Sequence, residues 1–363
     1  MRRRELLLAG SALLGGVAGA AQAQRQAPAL RDVARAAGLR IGSASEIDLA
    51  RDPPYAALIA ANCTMFAPNM SWQRMSPTPA DSFVGLDPNI GFAQRAGLRL
   101  TGYHLLWHQR LPSWFDALDR GAAERAIVGH VATIGARFGE RTDCWNVVNE
   151  AIRPADGMQG GLRRSPLLEK FGTAFFDIAY QAARQAAPGV VRLYNDYDLE
   201  LDTREDRARR TALLGLLDEL LRRSVPIQGV GLQSHLRTRS FDRFDAAGYR
   251  RFLDELTARN LDVYITELDV HDLATGDFGA RDRQIADVYA RFLDAALSNR
   301  RVRAVVFWGL SDRYSWLNDP ARPNYARPDG LPGRPLPFDA DFRPTLAFDA
   351  IERALAAAPQ RQT

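Results

Sequence analysis

What most constrains this chain is an alternation repeated eight times: a short apolar run, then a longer amphipathic or polar stretch. The runs that predict strands are residues 39–43, 64–66, 98–104, 143–147, 191–194, 228–232, 261–266 and 303–307. Among the intervening stretches, residues 122–138, 171–187, 207–223 and 283–298 have helical spacing. In the last of them Ile285, Val288, Tyr289, Phe292, Leu293 and Ala296 fall on one face. One strand followed by one helix implies parallel neighbours, because parallel strands need a crossover connection. Eight such units in roughly 330 residues predict a single α/β domain, a closed (β/α)8 TIM barrel, in preference to an open doubly wound sheet. The Pro-, Gly- and Arg-rich residues 320–337 read as a long loop after the eighth strand, with too little chain beyond it for a second domain.

The first 23 residues stand apart from this pattern. Arg2, Arg3 and Arg4 precede an apolar run over residues 6–21, and Ala21-Gln22-Ala23 fits a small-residue cleavage site. Arg3-Arg4-Glu5-Leu6-Leu7 resembles a twin-arginine export signal. The chain is therefore expected to be exported, to the periplasm or beyond, with residues 1–23 as signal and 24–363 as the catalytic domain. No later stretch is long and apolar enough to span a bilayer.

The net charge of +4 comes from basic residues spread along the chain, which gives no case for nucleic acid. Lys170 is the sole lysine, so Schiff-base chemistry has one possible residue. Cys63 and Cys144 are too few for a disulfide scaffold or a cysteine zinc site and are expected as buried apolar residues. The five histidines, His104, His108, His130, His235 and His271, do not match the H-E-x-x-H zinc spacing, and no metal or organic cofactor is expected.

A barrel of this kind carries its active site at the C-terminal ends of the strands. The fourth run ends in Trp145-Asn146-Val147-Val148-Asn149-Glu150, and the seventh in Ile265-Thr266-Glu267-Leu268-Asp269. A lone Glu after a strand is ordinarily a solvated loop residue or a cap. Here other strand ends carry residues suited to sugars: His104-Leu105-Leu106-Trp107-His108, Tyr194-Asn195-Asp196-Tyr197, Leu232-Gln233-Ser234-His235, and Phe307-Trp308-Gly309 with Trp316 behind it. Amides and imidazoles bind hydroxyls at a sugar's edge, and indoles cover its C–H faces. Four of six tryptophans, Trp107, Trp145, Trp308 and Trp316, lie at or near strand ends, which favours a binding cleft. Two carboxyls across such a cleft resist ionising together. Cleaving an acetal needs that inequality: one acid to protonate the leaving oxygen, one carboxylate to attack or stabilise the sugar. A separation of about 5–5.5 Å implies double displacement with retention.

From about residue 29 to 358 the sequence resembles glycoside hydrolase family 10, the β-1,4-xylanase family. Trp145-Asn146-Val147-Val148-Asn149-Glu150-Ala151 looks like the family's acid/base segment, which implies Glu150 as proton donor and Asn149 as a contact to the sugar 2-hydroxyl. Thr266-Glu267-Leu268-Asp269-Val270 looks like the nucleophile segment, which implies Glu267. Gly231-Leu232-Gln233-Ser234-His235-Leu236 matches the segment whose His orients the nucleophile. Asn195-Asp196-Tyr197, Trp107-His108 with Leu111-Pro112-Ser113-Trp114, and Phe307-Trp308-Gly309-Leu310-Ser311-Asp312 with Ser315-Trp316 complete six segments in family order. The resemblance implies that Trp107, His108, Asn149, Asn195, Gln233, His235, Trp308 and Trp316 bind substrate.

Two segments depart from the family. Its Glu-Asn-Glu-Met-Lys-Trp run, which binds the sugar two places from the cut, is Ala67-Pro68-Asn69-Met70-Ser71-Trp72 here. Its Gly-His-Thr-Leu-Val-Trp-His run is Gly102-Tyr103-His104-Leu105-Leu106-Trp107-His108, with Tyr103 where a substrate-contacting His is expected, and Gln109-Arg110 follow in place of a Ser-Gln pair. A sugar hydrogen bond is worth about 0.5–1.5 kcal/mol net, so this side of the cleft is expected to be remodelled. The expectation is a secreted, monomeric, retaining endo-β-1,4-xylanase acting on a polysaccharide, without nucleic-acid or membrane partners. The alternatives are a related enzyme for another β-1,4 glycan or for short or decorated xylooligosaccharides, and a carbohydrate-binding barrel without catalysis.

Overall fold

Among the described residues, ten strands form one sheet in the order β3-β2-β1-β10-β9-β7-β6-β5-β4, with β8 attached to β9. They are β1 (Arg40–Ala44), β2 (Met65–Ala67), β3 (Arg99–Leu100), β4 (Tyr103–Trp107), β5 (Cys144–Asn149), β6 (Val191–Asp196), β7 (Gly229–Leu232), β8 (His235–Arg237), β9 (Asp262–His271) and β10 (Val302–Phe307). Every strand pairing is parallel. The computed structural model describes residues 28–361 apart from 46, 69, 77, 79 and 81–87. The signal segment, Asn69 and the Tyr103 side chain lie outside what it describes.

The two ends of the sheet, β3 and β4, are halves of one expected strand. Closure follows: β3 pairs with β2, and two residues later β4 pairs with β5. The expected third strand is thus broken. Gly102 sits at φ 66°, a left-handed conformation that an L side chain resists, and the chain steps there from one neighbour to the other. With β3 and β4 as one strand and β8 beyond the rim, eight barrel strands remain, as the alternation predicts.

Eleven helices accompany them among the described residues, and four cover the expected helical stretches: Arg120–Phe138, Ala174–Ala186, Arg204–Arg222 and Phe278–Leu297. The second starts later than expected, because Gly172 at φ 59° separates it from the helix Pro166–Phe171. Asp119, Thr203 and Asp277 each cap a helix start by accepting a backbone N–H.

Apolar side chains cover both faces of the strands, which is why they read as continuous hydrophobic runs. Outside, Trp145, Val147, Val148, Ile265 and Leu268 pack into the large core shared with the helices. Inside, Met65, Cys144, Leu193, Tyr264 and Ala304 form one layer, and Ala44, Ala67 and Val306 pack against Trp308 in another. Both cysteines are free and buried.

Just beyond β9, Asp272 is fully buried between two arginines. Arg281 donates Nε to its Oδ2 at 3.0 Å, and Arg327 donates Nη1 to Oδ1 at 2.8 Å. Arg281 also holds the Pro332 carbonyl, so one carboxylate pins the proline-rich loop to the barrel rim. Removing one member of such a network leaves buried charge uncompensated. Asp272→Asn is expected to lose about 3–5 kcal/mol of unfolding free energy in urea titration; a loss under about 1 kcal/mol would show that the network is solvated.

Candidate active site

Two strands change their inside–outside alternation next to a carboxylate. Between Asn146 and Val148, β5 advances two residues while β6 advances one. Val147 and Val148 therefore both face the helices, and Asn149 turns to the cleft. Between Ile265 and Leu268, β9 advances three residues against two on β10, so Thr266 and Glu267 both point inward. Bulges of this kind re-aim side chains. Glu150 follows β5 at φ 56°, a strained conformation for a non-glycine residue. Its N–H donates to the Asn195 carbonyl at 2.9 Å, and its own carbonyl accepts from Arg163 Nε at 2.6 Å. Arg163 in turn donates to the Tyr197 hydroxyl.

The Glu150 carboxyl is 8% exposed and meets three donors. Asn149 Nδ2 and Gln233 Nε2 each donate to Oε1 at 3.1 Å, and Trp107 Nε1 donates to Oε2 at 3.0 Å. None of these three groups can accept a proton from Glu150. A proton on this carboxyl is therefore directed toward the cleft.

Glu267 is 5% exposed and is held by groups from three other segments. Asn195 Nδ2 donates to Oε1 at 2.9 Å, and His104 Nε2 lies 3.3 Å from the same oxygen. His235 Nε2 is 3.4 Å from Oε2. Burial alone would raise this carboxyl's pKa, but the hydrogen bonds from His104 and His235, with their charges, outweigh it and bring it down to about 2. Burial likewise disfavours the His235 imidazolium, yet Asp269 at 2.9 Å from Nδ1, together with Glu267, holds its pKa well above the usual histidine range.

One amide joins the two carboxyls. Asn195 Nδ2 reaches Asn149 Oδ1 at 2.8 Å as well as Glu267, while Asn149 holds Glu150. Thr266 Oγ1 fixes the other end of Asn195 at 2.7 Å. The close fit depends on Gly231, where a Cβ would stand 2.2 Å from Asn195 Oδ1 and 2.9 Å from Thr266 Cγ2. Behind Glu150, Asp196 accepts from the Tyr194 hydroxyl and from Arg209; burial pushes its carboxyl up to about 7 against the pull of Arg209.

The structure brings most of the residues singled out in the sequence into this cleft. Trp316 donates Nε1 to Asp269 Oδ2 at 2.7 Å, and its ring stands 5.4 Å from His235. Trp308 meets His235 edge-on at 6.3 Å. His108 is half-buried beside Trp107, and its Nδ1 has no partner among the described residues. Burial, then the charges of Arg163 and Arg153, push its pKa down to about 4, so it is neutral at pH 7. It contacts neither carboxyl. Trp145 is a correction: it is 1% exposed and faces the helices, because it lies on the outward side of β5. Asp269, Thr266 and Arg163 were given no individual role from sequence, and His104 only a place in a strand end suited to sugars. The departure at His104 and the spacing of Glu267 and Asp269 on one strand were their available signals. Asp269 aligns with His235 because β8 pairs with the far end of β9.

The family model for glycosyl hydrolase family 10 matches residues 29–354. Endo-1,4-beta-xylanase 3 of Hypocrea jecorina is 30% identical over 324 residues, 88% of this chain and 83% of that protein. Endo-1,4-beta-xylanase B of Thermotoga neapolitana is 29% identical over 289 residues, 79% of this chain and 78% of that protein. Among solved structures, native xylanase 10B from Thermotoga maritima superposes with a TM-score of 0.78 at 27% identity, covering 90% of this chain and 98% of that one. Xylanase 10B from Thermotoga petrophila RKU-1, in complex with xylobiose, gives 0.80 at 26% identity, covering 91% and 98%. A match over almost the whole described barrel, with both carboxyl segments in place, shows that this chain belongs to glycosyl hydrolase family 10.

Proposed function

We propose that this protein is a retaining endo-β-1,4-xylanase in which Glu267 is the nucleophile and Glu150 the acid/base. The observation that carries the reading is the hydrogen-bonded chain Glu150–Asn149–Asn195–Glu267, which sets a donor-stabilised carboxylate and a second carboxyl on one cleft. Glu267 forms a bond to the anomeric carbon as the glycosidic C–O bond breaks, and Glu150 gives its proton to the leaving oxygen. Water then attacks the same carbon, Glu150 takes its proton, and Glu267 leaves as carboxylate. Trp107, Trp308 and Trp316 supply apolar walls, and Asn149, Gln233 and His235 the polar edge. Export on residues 1–23 and action as a monomer without a cofactor belong to the same proposal. Among the described residues no helix is long and apolar enough to cross a membrane.

A second reading keeps the chemistry and changes the glycan to a short or decorated one. It is favoured by the rim after β2. Ser71 turns its hydroxyl to Arg74 N as a helix cap, and Ala67 packs beside Trp308, so no long cation or carboxylate extends from these positions. Product analysis on plain xylan, arabinoxylan, xylooligosaccharides and other β-1,4 glycans separates the two readings. Hydrolysis of plain xylan to a ladder of oligomers supports the first, and activity confined to short or branched substrates supports the second.

Glu267→Ala is expected to lower the rate on xylan by at least about 10⁴-fold, and Glu150→Ala by about 10²–10⁴-fold. Proton NMR of the parent's first product should show the β-anomer; an α-anomer would exclude double displacement. The pH profile follows from the state of the nucleophile, which must be ionised to attack. With its pKa near 2, the acidic limb of kcat/KM is expected well below the usual carboxylate value, activity being lost only as pH falls toward that number. His235→Ala leaves burial less opposed, so the limb should rise by about one unit or more. An unmoved limb would show that His235 does not set the charge of Glu267.

A further inference from the structure

His104 stands one place after the position where the resembling family segment has its substrate-contacting His, and where that segment has threonine. It lies on the cleft side of β4, its side chain 12% exposed, between Glu267 and the Trp107 indole that holds Glu150. Its ring centre is 5.4 Å from that of Trp107. A carboxylate oxygen can only accept, so the Nε2 facing Oε1 at 3.3 Å carries the hydrogen. The two Glu267 oxygens are thereby made unequal. Oε1 takes Asn195 Nδ2 and His104 Nε2, while among the described residues Oε2 has the longer approach of His235.

We propose that His104 is a positioning residue that, with Asn195, holds Oε1 of Glu267 as the non-attacking oxygen and leaves Oε2 to bond the sugar. The inference rests on Glu267 being the nucleophile. When Oε2 bonds the anomeric carbon, Oε1 becomes the carbonyl oxygen of a neutral ester. When water later displaces the sugar, the electron pair of the C–O bond returns to Glu267, and the N–H groups on Oε1 strengthen as charge returns. His104 therefore assists the second step more than the first. In the first step its loss also makes the free carboxylate more basic, which offsets poorer positioning. The charged or titratable groups around Glu267 are His104 from β4, His235 from the segment after β7 with Asp269 behind it on β9, and Glu150 across the cleft.

The test is steady-state and burst kinetics of His104→Ala and His104→Gln on a dinitrophenyl β-xylobioside, whose leaving group makes the second step limiting. For His104→Ala, kcat and KM should fall together by on the order of tenfold, with a burst of one phenolate per enzyme and the acidic limb raised by about one pH unit. His104→Gln keeps an N–H donor and should recover most of kcat. A loss of kcat at unchanged KM without a burst, or parent-like kinetics and limb in the alanine variant, would overturn the proposal. If the alanine variant does not fold, the glutamine variant decides: kcat and KM close to the parent support the donor role, and a lower kcat at unchanged KM contradicts it. The nucleophile reading fails separately, if Glu267→Ala keeps the parent's rate.

Discussion

A carboxylate withdrawn from water must find other donors, and the site depends on how Glu267 meets that requirement. Effective desolvation of such an ion costs several kcal/mol, while each hydrogen bond to a charged group returns roughly 1.5–3 kcal/mol. The groups that offset the cost lie on separate strands or rims: His104 on β4, Asn195 on β6 and His235 after β7. They converge only because the sheet closes, and closure depends on the step at Gly102. Fold and chemistry are thus linked through one buried charge. The tight approach of Gly231 to Asn195 and Thr266 shows how little room the bridging amide has.

Much of this was legible in the sequence because barrels place function at strand ends. The apolar runs located the strands, and the polar residues that ended them included both carboxyls and most of the cleft. Orientation was harder to read, because alternation along a strand assumes a regular pleat. At Val147-Val148 and Thr266-Glu267 the pleat is interrupted, and nothing in those residues announces it. Trp145 was misplaced for the same kind of reason: nearness to a strand end said nothing about which face it takes. The third strand appeared continuous because Thr101-Gly102 is short and both halves are strand-like. The strand β8 is three residues long, too short for a pattern, yet it sets His235 beside Asp269. Tertiary pairing decided these features, beyond the reach of a local reading.

The two sides of the cleft differ in what they retain. Around the carboxyls, amides, imidazoles and indoles form an uninterrupted network. At the end of β2, Ala67 joins an inner apolar layer, and beyond it Ser71 serves its own short helix, so their side chains are committed to the fold. His104 on β4 adds an imidazole beside Glu267. On the proposed reading, substrate grip is reduced at the first place and support of the reacting carboxylate increased at the second.

In the proposed mechanism Glu267 becomes covalently bonded to the sugar. The direct measurement is peptide mapping by mass spectrometry after reaction with a 2-deoxy-2-fluoro-β-xylobioside bearing an activated leaving group, which slows release of the intermediate. One added glycosyl unit on the peptide containing Glu267 is the predicted result. An adduct on a different side chain, or turnover that never passes through an adduct, would exclude Glu267 as the nucleophile.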